Sequence, residues 1–312
     1  MQSDDWLGLE LRHLTALKAV AEEGSFGRAA RSLGYTQSAV SQQIAVLERI
    51  VGHRLVDRPG GPRPISLTEA GGLLLTHADG ITARLQAARA DLSALGAGDA
   101  GPLRIGTYQS VGARLLPTLL RTFQGDWPKI DVTLVESADD RELLALIERG
   151  DIDVSFVVYP VRPGPFESLE LMRDPYVLLT PVDSPLAGRD RPPTLREIVE
   201  LPLIGYRSCR TTEQVEERLR VTGIDPHVVF RSDDNYTVQG MVAEGMGVAL
   251  VPLLTVDPAD DRIAVVQLGD RVPARLIGIA WHRDRLRTPA ADAFVKLAEA
   301  HCERHAKEIL AA

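Results

Sequence analysis

The sequence predicts an α/β protein in three segments: a helical head, one long helix, and a body in which strands and helices alternate. Three observations carry that expectation. Residues 11–66 repeat apolar positions at helical spacing and close on the turn-rich Arg58-Pro-Gly-Gly-Pro-Arg-Pro64. Residues 67–95 hold an unbroken apolar repeat without proline, ended by Gly96-Ala-Gly-Asp-Ala-Gly-Pro102. From Leu103 onward, short β-branched runs alternate with helical patterns, as βα units around largely parallel sheets require.

In the head, Ser25 is a good N-cap for a short helix ending at Leu33. Gly34-Tyr-Thr36 gives a tight turn, and Thr36 caps a second helix from Gln37 to Val51. The buried face of that helix is Val40, Ile44, Leu47 and Val51, while Ala29 and Ala30 are small enough for the two helices to cross closely. This is the helix-turn-helix arrangement, whose second helix enters the major groove of DNA. Its outer face carries Gln37, Ser38, Ser41 and Gln42, and then Arg49. Glutamine pairs with an adenine edge, and serine serves phosphates or bases. Arg54, Arg58 and Arg63 on the Pro/Gly-rich hairpin read as a wing beside the groove.

The next segment places Leu67, Gly71, Leu74, Ala78, Ile81, Leu85, Ala88, Leu92 and Leu95 at alternating steps of four and three. That spacing puts one apolar seam along a helix, as a coiled-coil partner needs. A helix over 68–95 is too long to be covered by a 55-residue neighbour, so a homodimer seam is expected over packing on its own domain.

In the body, strands are expected at 103–106, 132–135, 154–158, 177–180, 203–205, 228–231, 248–251, 263–267 and 276–281. Helices are expected near 111–124, 140–149, 211–222, 237–245 and 289–309.

Charge first argues against a nucleic-acid partner. The chain has 35 basic and 43 acidic residues, a net charge of −8. Division resolves the objection. Residues 11–66 hold eight bases (Arg12, Lys18, Arg28, Arg31, Arg49, Arg54, Arg58, Arg63) and four acids (Glu22, Glu23, Glu48, Asp57), a net of +4. The remainder carries −12.

Hydrophobic content of 45% with 25% charged residues excludes a disordered or fibrous chain. Met1 to Glu10 has no basic start before an apolar run, and no run approaches eighteen apolar residues, so a cytoplasmic chain without signal or membrane span is expected. Cys209 and Cys302 form no CxxC pair, and His301, Cys302 and His305 read as a solvated terminal helix, not a metal site. An enzyme and a DNA-packaging protein are the rivals. Gly245-Met-Gly247 is no dinucleotide loop, and the sequence has no P-loop and no Gly-x-Ser-x-Gly elbow. Packaging would require a basic chain without a pocketed body.

Several stretches together resemble the LysR-type transcriptional regulators. They are Leu11-Arg-His-Leu-Thr-Ala-Leu-Lys-Ala-Val20, Gly24-Ser-Phe-Gly-Arg-Ala-Ala-Arg-Ser-Leu33, Thr36-Gln-Ser-Ala-Val-Ser-Gln-Gln-Ile44 and Leu67-Thr-Glu-Ala-Gly71. Asp151-Ile-Asp-Val154 and Met241-Val-Ala-Glu-Gly-Met-Gly-Val-Ala-Leu-Val-Pro252 are similar to recurrent segments of that family's body. Val51 and Val56 stand where the family usually has Leu and Phe, and Gln42 where many members have Arg.

The resemblance implies three domains: a winged helix-turn-helix over 1–66, a dimerisation helix and hinge over 67–100, and an effector domain over 101–312. The effector domain is expected to be two-lobed and similar to periplasmic binding proteins, with one lobe of about 101–160 and 268–312 and the other of about 161–267. Gln37, Ser38, Ser41 and Gln42 then face bases or phosphates, with Arg58 and Arg63 on phosphates or the minor groove. Promoter DNA, a small-molecule effector and a second or further copies of the chain are the expected partners, with RNA polymerase a further candidate. No cofactor, metal or membrane is expected.

Cleft candidates at strand ends are Thr107, Gln109, Ser110 and Ser137 on one lobe. Tyr206, Arg207, Cys209 and Asn235 stand on the other, with Tyr108, Ser208, Asp234 and Tyr236 beside them. Arg207 and helix N-termini point to an anionic effector such as a carboxylate. Cys209 stands near the reactive cysteine of the family's peroxide sensors, but 213–222 hold no resolving cysteine, so an inert thiol is expected.

Overall fold

The computed structural model describes residues 5–57, 64–96, 101–189, 191–207 and 210–311. The side chains of 5, 83, 86, 87, 89–91, 93–96, 210–214, 305–307 and 309–311 lie outside that description. The chain divides into two compact units, Met1–Arg89 and Ala90–Ala312.

The first unit is built on three helices: α1 (Leu11–Glu23), α2 (Phe26–Leu33) and α3 (Gln37–Val51). Glycines with positive φ end each one: Gly24 at 60°, Gly34 at 70° and Gly52 at 71°, a region in which a Cβ is strained. Thr36 accepts the Ala39 N–H at 3.2 Å and so starts α3. Ala29 and Ala30 are buried where α2 meets the other two helices, in a core with Leu14, Leu17, Val20, Val40, Ile44 and Leu47. Two short strands follow, β1 (Val56–Asp57) and β2 (Ser66–Leu67), paired antiparallel. Arg58 and Arg63, between them, lie outside the described residues.

Helix α4 (Glu69–Gly96) closes the unit. The Thr68 hydroxyl donates to the Arg54 carbonyl at 2.7 Å and accepts the Gly71 N–H at 3.0 Å. A Cβ at Gly71 would collide with the Leu55 carbonyl oxygen, so only glycine lets the first turn sit against the wing. The expected seam divides in two. Leu74 and Ala78 are buried in the head's own core, whereas Ile81, Leu85 and Leu92 are exposed, Leu92 at 71%. Packing on the own domain therefore accounts for the first turns only.

The second unit opens with β3 (Gly101–Thr107), α5 (Gln109–Arg114), α6 (Leu116–Asp126), β4 (Ile130–Glu136), α7 (Asp140–Arg149), β5 (Val154–Val158) and β6 (Phe166–Asp174). It continues through β7 (Tyr176–Pro181), α8 (Leu195–Val199), β8 (Leu203–Gly205), α9 (Arg210–Arg220), β9 (Val228–Arg231), α10 (Asn235–Ala243), β10 (Ala249–Pro252) and β11 (Ile263–Gln267). It ends with β12 (Arg275–His282) and α11 (Pro289–Ala311). One lobe holds a five-stranded sheet in the order β4-β3-β5-β12-β6. The other holds β10-β7-β11, with the β8-β9 pair joined to it by a parallel bridge from Leu203 to Val248. Phe123, Phe156 and Phe294 meet edge to face in the first lobe's core, at 5.5 and 6.4 Å between centroids.

Three expectations change. The sheets are mixed: β3 is parallel to β4 and β5, but β12 runs antiparallel to β5 and β6, and β7 antiparallel to β10 and β11. The helix expected over 111–124 breaks at Leu115, since Pro117 has no N–H to continue the ladder. Finally, β6 pairs along the whole of β12, from Asp174↔Arg275 to Phe166↔His282. The first crossing between lobes thus falls between Asp174 and Tyr176 instead of near 160. The return crossing follows Val272, because Leu268 and Val272 are buried in the second lobe's core.

Candidate functional site

The outer face of α3 begins right at its cap. Gln37, Ser38 and Gln42 are exposed and Ser41 is half-buried, while Val40, Ile44 and Leu47 face inward. The Ser38 hydroxyl lies 3.0 Å from that of Thr36. Gly27 leaves room for Gln37, whose Oε1 would sit 3.5 Å from a Cβ placed there. Among the described residues, Arg31, Arg49 and Arg54 are exposed without a carboxylate partner, whereas Arg28 is held by Glu23. Glu48 Oε1 accepts the Leu55 N–H at 2.8 Å, tying α3 to the wing. The result is a polar helix face with free guanidiniums around it, suited to base edges flanked by phosphates.

In the second unit, a cavity of about 590 Å³ opens between the lobes. Gln109, Ser110, Ser137, Tyr206, Arg207 and Asn235 line it, as do Tyr108 and Asp234. Thr107 does not. It is 1% exposed, with its hydroxyl toward the Tyr108 carbonyl at 3.4 Å. Tyr236 is exposed away from the lining, and Ser208 and Cys209 lie outside the described residues.

Several of these groups are already engaged. The Ser137 hydroxyl donates to Glu142 at 2.6 Å and accepts the Asp139 N–H, which makes it the turn leading into α7. The Tyr206 hydroxyl donates to Asn235 Oδ1 at 2.9 Å. The Gln109 carboxamide spans the lobes, donating from Nε2 to Asp234 Oδ2 and accepting the Asn235 N–H at Oε1, both at 2.9 Å. Asp234 also caps α10 through the Thr237 N–H at 2.7 Å. Its carboxyl is held below the usual range, first by the Gln109 side chain and next by that N–H.

Sequence reasoning passed over the floor of the cavity. Arg275 is buried there, bound to Asp174 at 2.7 Å and donating to Ser110 Oγ at 2.8 Å, with its guanidinium 5.4 Å from the Tyr108 ring centroid. Burial opposes its charge, but Asp174 and the two tyrosines outweigh that and raise its pKa, while burial raises that of Asp174. On the walls, Arg141 pairs with Asp139 at 3.0 Å and Arg162 with Asp140 at 3.0 Å. The Arg207 side chain has no partner among the described residues.

Cys302 lies fully buried in the first lobe's core, where burial pushes its thiol up to about 12. That burial corrects the expected solvated helix at this position, and the His305 side chain is outside the described residues. Among the described residues, no helix is long and apolar enough to cross a membrane.

Comparison with known proteins matches both units. Residues 11–72 fit the profile described as bacterial regulatory helix-turn-helix protein, lysR family, and residues 96–303 fit the LysR substrate binding domain. The chain is 31% identical over 294 residues to the DNA-binding transcriptional dual regulator OxyR of Escherichia coli, covering 94% of each. It is 29% identical over 298 residues to the uncharacterized regulator YybE of Bacillus subtilis, covering 94% of this chain and 99% of that one. Among solved structures, full-length CbnR complexed with its target DNA aligns at a TM-score of 0.65 and 25% identity, over 94% of this chain and 99% of that one. An OxyR C206 mutant of Corynebacterium glutamicum aligns at 0.60 and 26%, over 97% and 96%.

Proposed function

The chain belongs to the LysR family of bacterial transcriptional regulators, and from that premise we propose that it is a one-component switch whose effector carries a carboxylate. It is a DNA-binding regulator with an effector-binding domain, not an enzyme. In this reading the head is 1–66, the rod 67–100 and the sensor 101–312, acting on promoter DNA in the cytoplasm, with RNA polymerase as a further partner. Gln37, Ser38, Ser41 and Gln42 contact bases or nearby phosphates, and Arg58 and Arg63 contact the backbone at the wing. The exposed half of the α4 seam, Ile81, Leu85 and Leu92, is the surface on which two copies pair.

The observation that carries the effector's chemistry is Arg207. Of the arginines lining the cavity, Arg141, Arg162 and Arg275 each face a carboxylate, and Arg207 alone among the described residues does not. A carboxylate between the lobes gains a charge-assisted bond from it. The effector acts through its differential affinity for the open and closed lobes. A promoter footprint repeated with and without metabolite extract tests the switch, and calorimetry with simple carboxylates against neutral sugars tests the charge. Protection indifferent to every metabolite, or heat only from sugars, overturns the respective half.

A further inference from the structure

Gln109 opens α5 on one lobe, and its carboxamide reaches the N-terminus of α10 on the other. Both ends of the amide are used: the N–H on Asp234, the oxygen on the backbone N–H of Asn235. Asp234 and Asn235 line the cavity, and Arg207 stands on the neighbouring loop. The site therefore presents one anionic acceptor, one backbone donor and one unengaged cation, and its own chain fills the first two.

From this we infer that Gln109 is an internal occupant of the effector position, and that the effector displacing it is an α-amino acid. The ammonium group donates to Asp234, and the carboxylate accepts from the Asn235 N–H and Arg207. Like the carboxamide, an α-amino acid offers a donor and an acceptor close together, but with full charges. Charge-assisted bonds are roughly twice as strong as neutral ones, so the exchange favours the ligand. A simple carboxylic acid leaves Asp234 without a donor and sets two anions side by side, which disfavours it. The inference rests on the carboxylate reading above and narrows it.

Calorimetry on the full chain tests it, with the common α-amino acids and their des-amino carboxylic acids as probes. Wild type is expected to bind at least one amino acid about tenfold or more tightly than its des-amino counterpart. Gln109→Ala, and Gln109→Met as a variant that keeps the bulk, should bind that amino acid about tenfold tighter, because the internal competitor is gone. Asp234→Asn in the Gln109→Met background should erase the preference from both sides, weakening the amino acid and tightening the des-amino acid, whose carboxylate no longer meets an anion. Equal or better binding of des-amino acids overturns the amino-acid assignment while the carboxylate reading stands, and binding of neither class overturns both. Unchanged or weaker amino-acid binding in both Gln109 variants overturns the internal-occupant role.

Discussion

Asp174 and Arg275 are the last register pair of the β6–β12 ladder, and their ion pair lies where both strands leave the first lobe. Asp174 also accepts the Leu254 N–H at 3.1 Å, and Arg275 donates to Ser110, so the pair fastens the crossing and the cavity floor together. Asp174→Ala leaves a buried guanidinium unpaired and should destabilise the second unit by about 3–5 kcal/mol. The double change Asp174→Leu with Arg275→Met should recover most of that loss in denaturant unfolding. A double variant no more stable than the single one would show that the pair contributes more than charge balance.

Gly71 is required by contact, since a side chain there meets the Leu55 carbonyl. Gly71→Ala should destabilise the head by about 1–3 kcal/mol, as overpacking does. Thermal unfolding of the full chain should show the loss in the head's transition, with the body's unchanged.

On DNA, the exposed α3 residues and the surrounding arginines should separate by kind of effect. Gln42→Ala should relax discrimination at one base position by about 1–3 kcal/mol, whereas Arg54→Ala should weaken all sequences alike and lower the salt slope by about one. With a net +4 on residues 11–66 to neutralise phosphates, binding should fall with salt. Titrations at several salt concentrations check all three expectations.

Replacing Leu85 and Leu92 by Asp puts charge on the open half of the α4 seam without touching the buried Leu74 and Ala78. Sedimentation should show monomers, with the head still folded. An unchanged assembly would place the pairing surface elsewhere.

Glu197 accepts the Thr194 N–H at 2.7 Å and its hydroxyl at 2.8 Å, at the start of α8. The backbone bond, first of these causes, lowers its pKa from 4.5 to about 2. A depressed carboxyl stabilises the fold above its unfolded value and loses that contribution as pH falls through the folded one. The α8 cap should therefore hold above about pH 4.5 and fail progressively between there and pH 2. Carboxyl-carbon NMR on wild type and Thr194→Val should show the variant titrating higher.

Local chemistry left its mark in the sequence, and distant pairing did not. The runs at 154–158, 203–205, 228–231 and 263–267 coincide with β5, β8, β9 and β11 because β-branched residues between turns carry their own signal. Strand β6, Phe-Glu-Ser-Leu-Glu-Leu-Met-Arg-Asp, has no β-branched residue and owes its place to pairing with β12 about a hundred positions later. Without a local signal for β6, the sequence pattern puts the lobe boundary near 160, whereas the strand carries it to Asp174. Arg275 stands just before the strand expected at 276–281, and nothing near it in sequence tells of a carboxylate 101 residues away. Gln109 and Asn235 were legible as strand-end polar residues, but their bond across the cleft was not.

The double use of α4 has a mechanical consequence. Its first turns are keyed into the head by Leu74, Ala78 and the Lys18–Asp79 pair at 2.7 Å, and through Leu55 and Glu48 the key engages α3 itself. The head thus has no swivel of its own, and torsion in the rod is torsion of the reading helix. In the paired assembly, an operator lengthened by one base pair turns its second half-site around the DNA axis. Two heads without swivels cannot follow it, so the protein should measure the phase between half-sites as strictly as it reads their sequence.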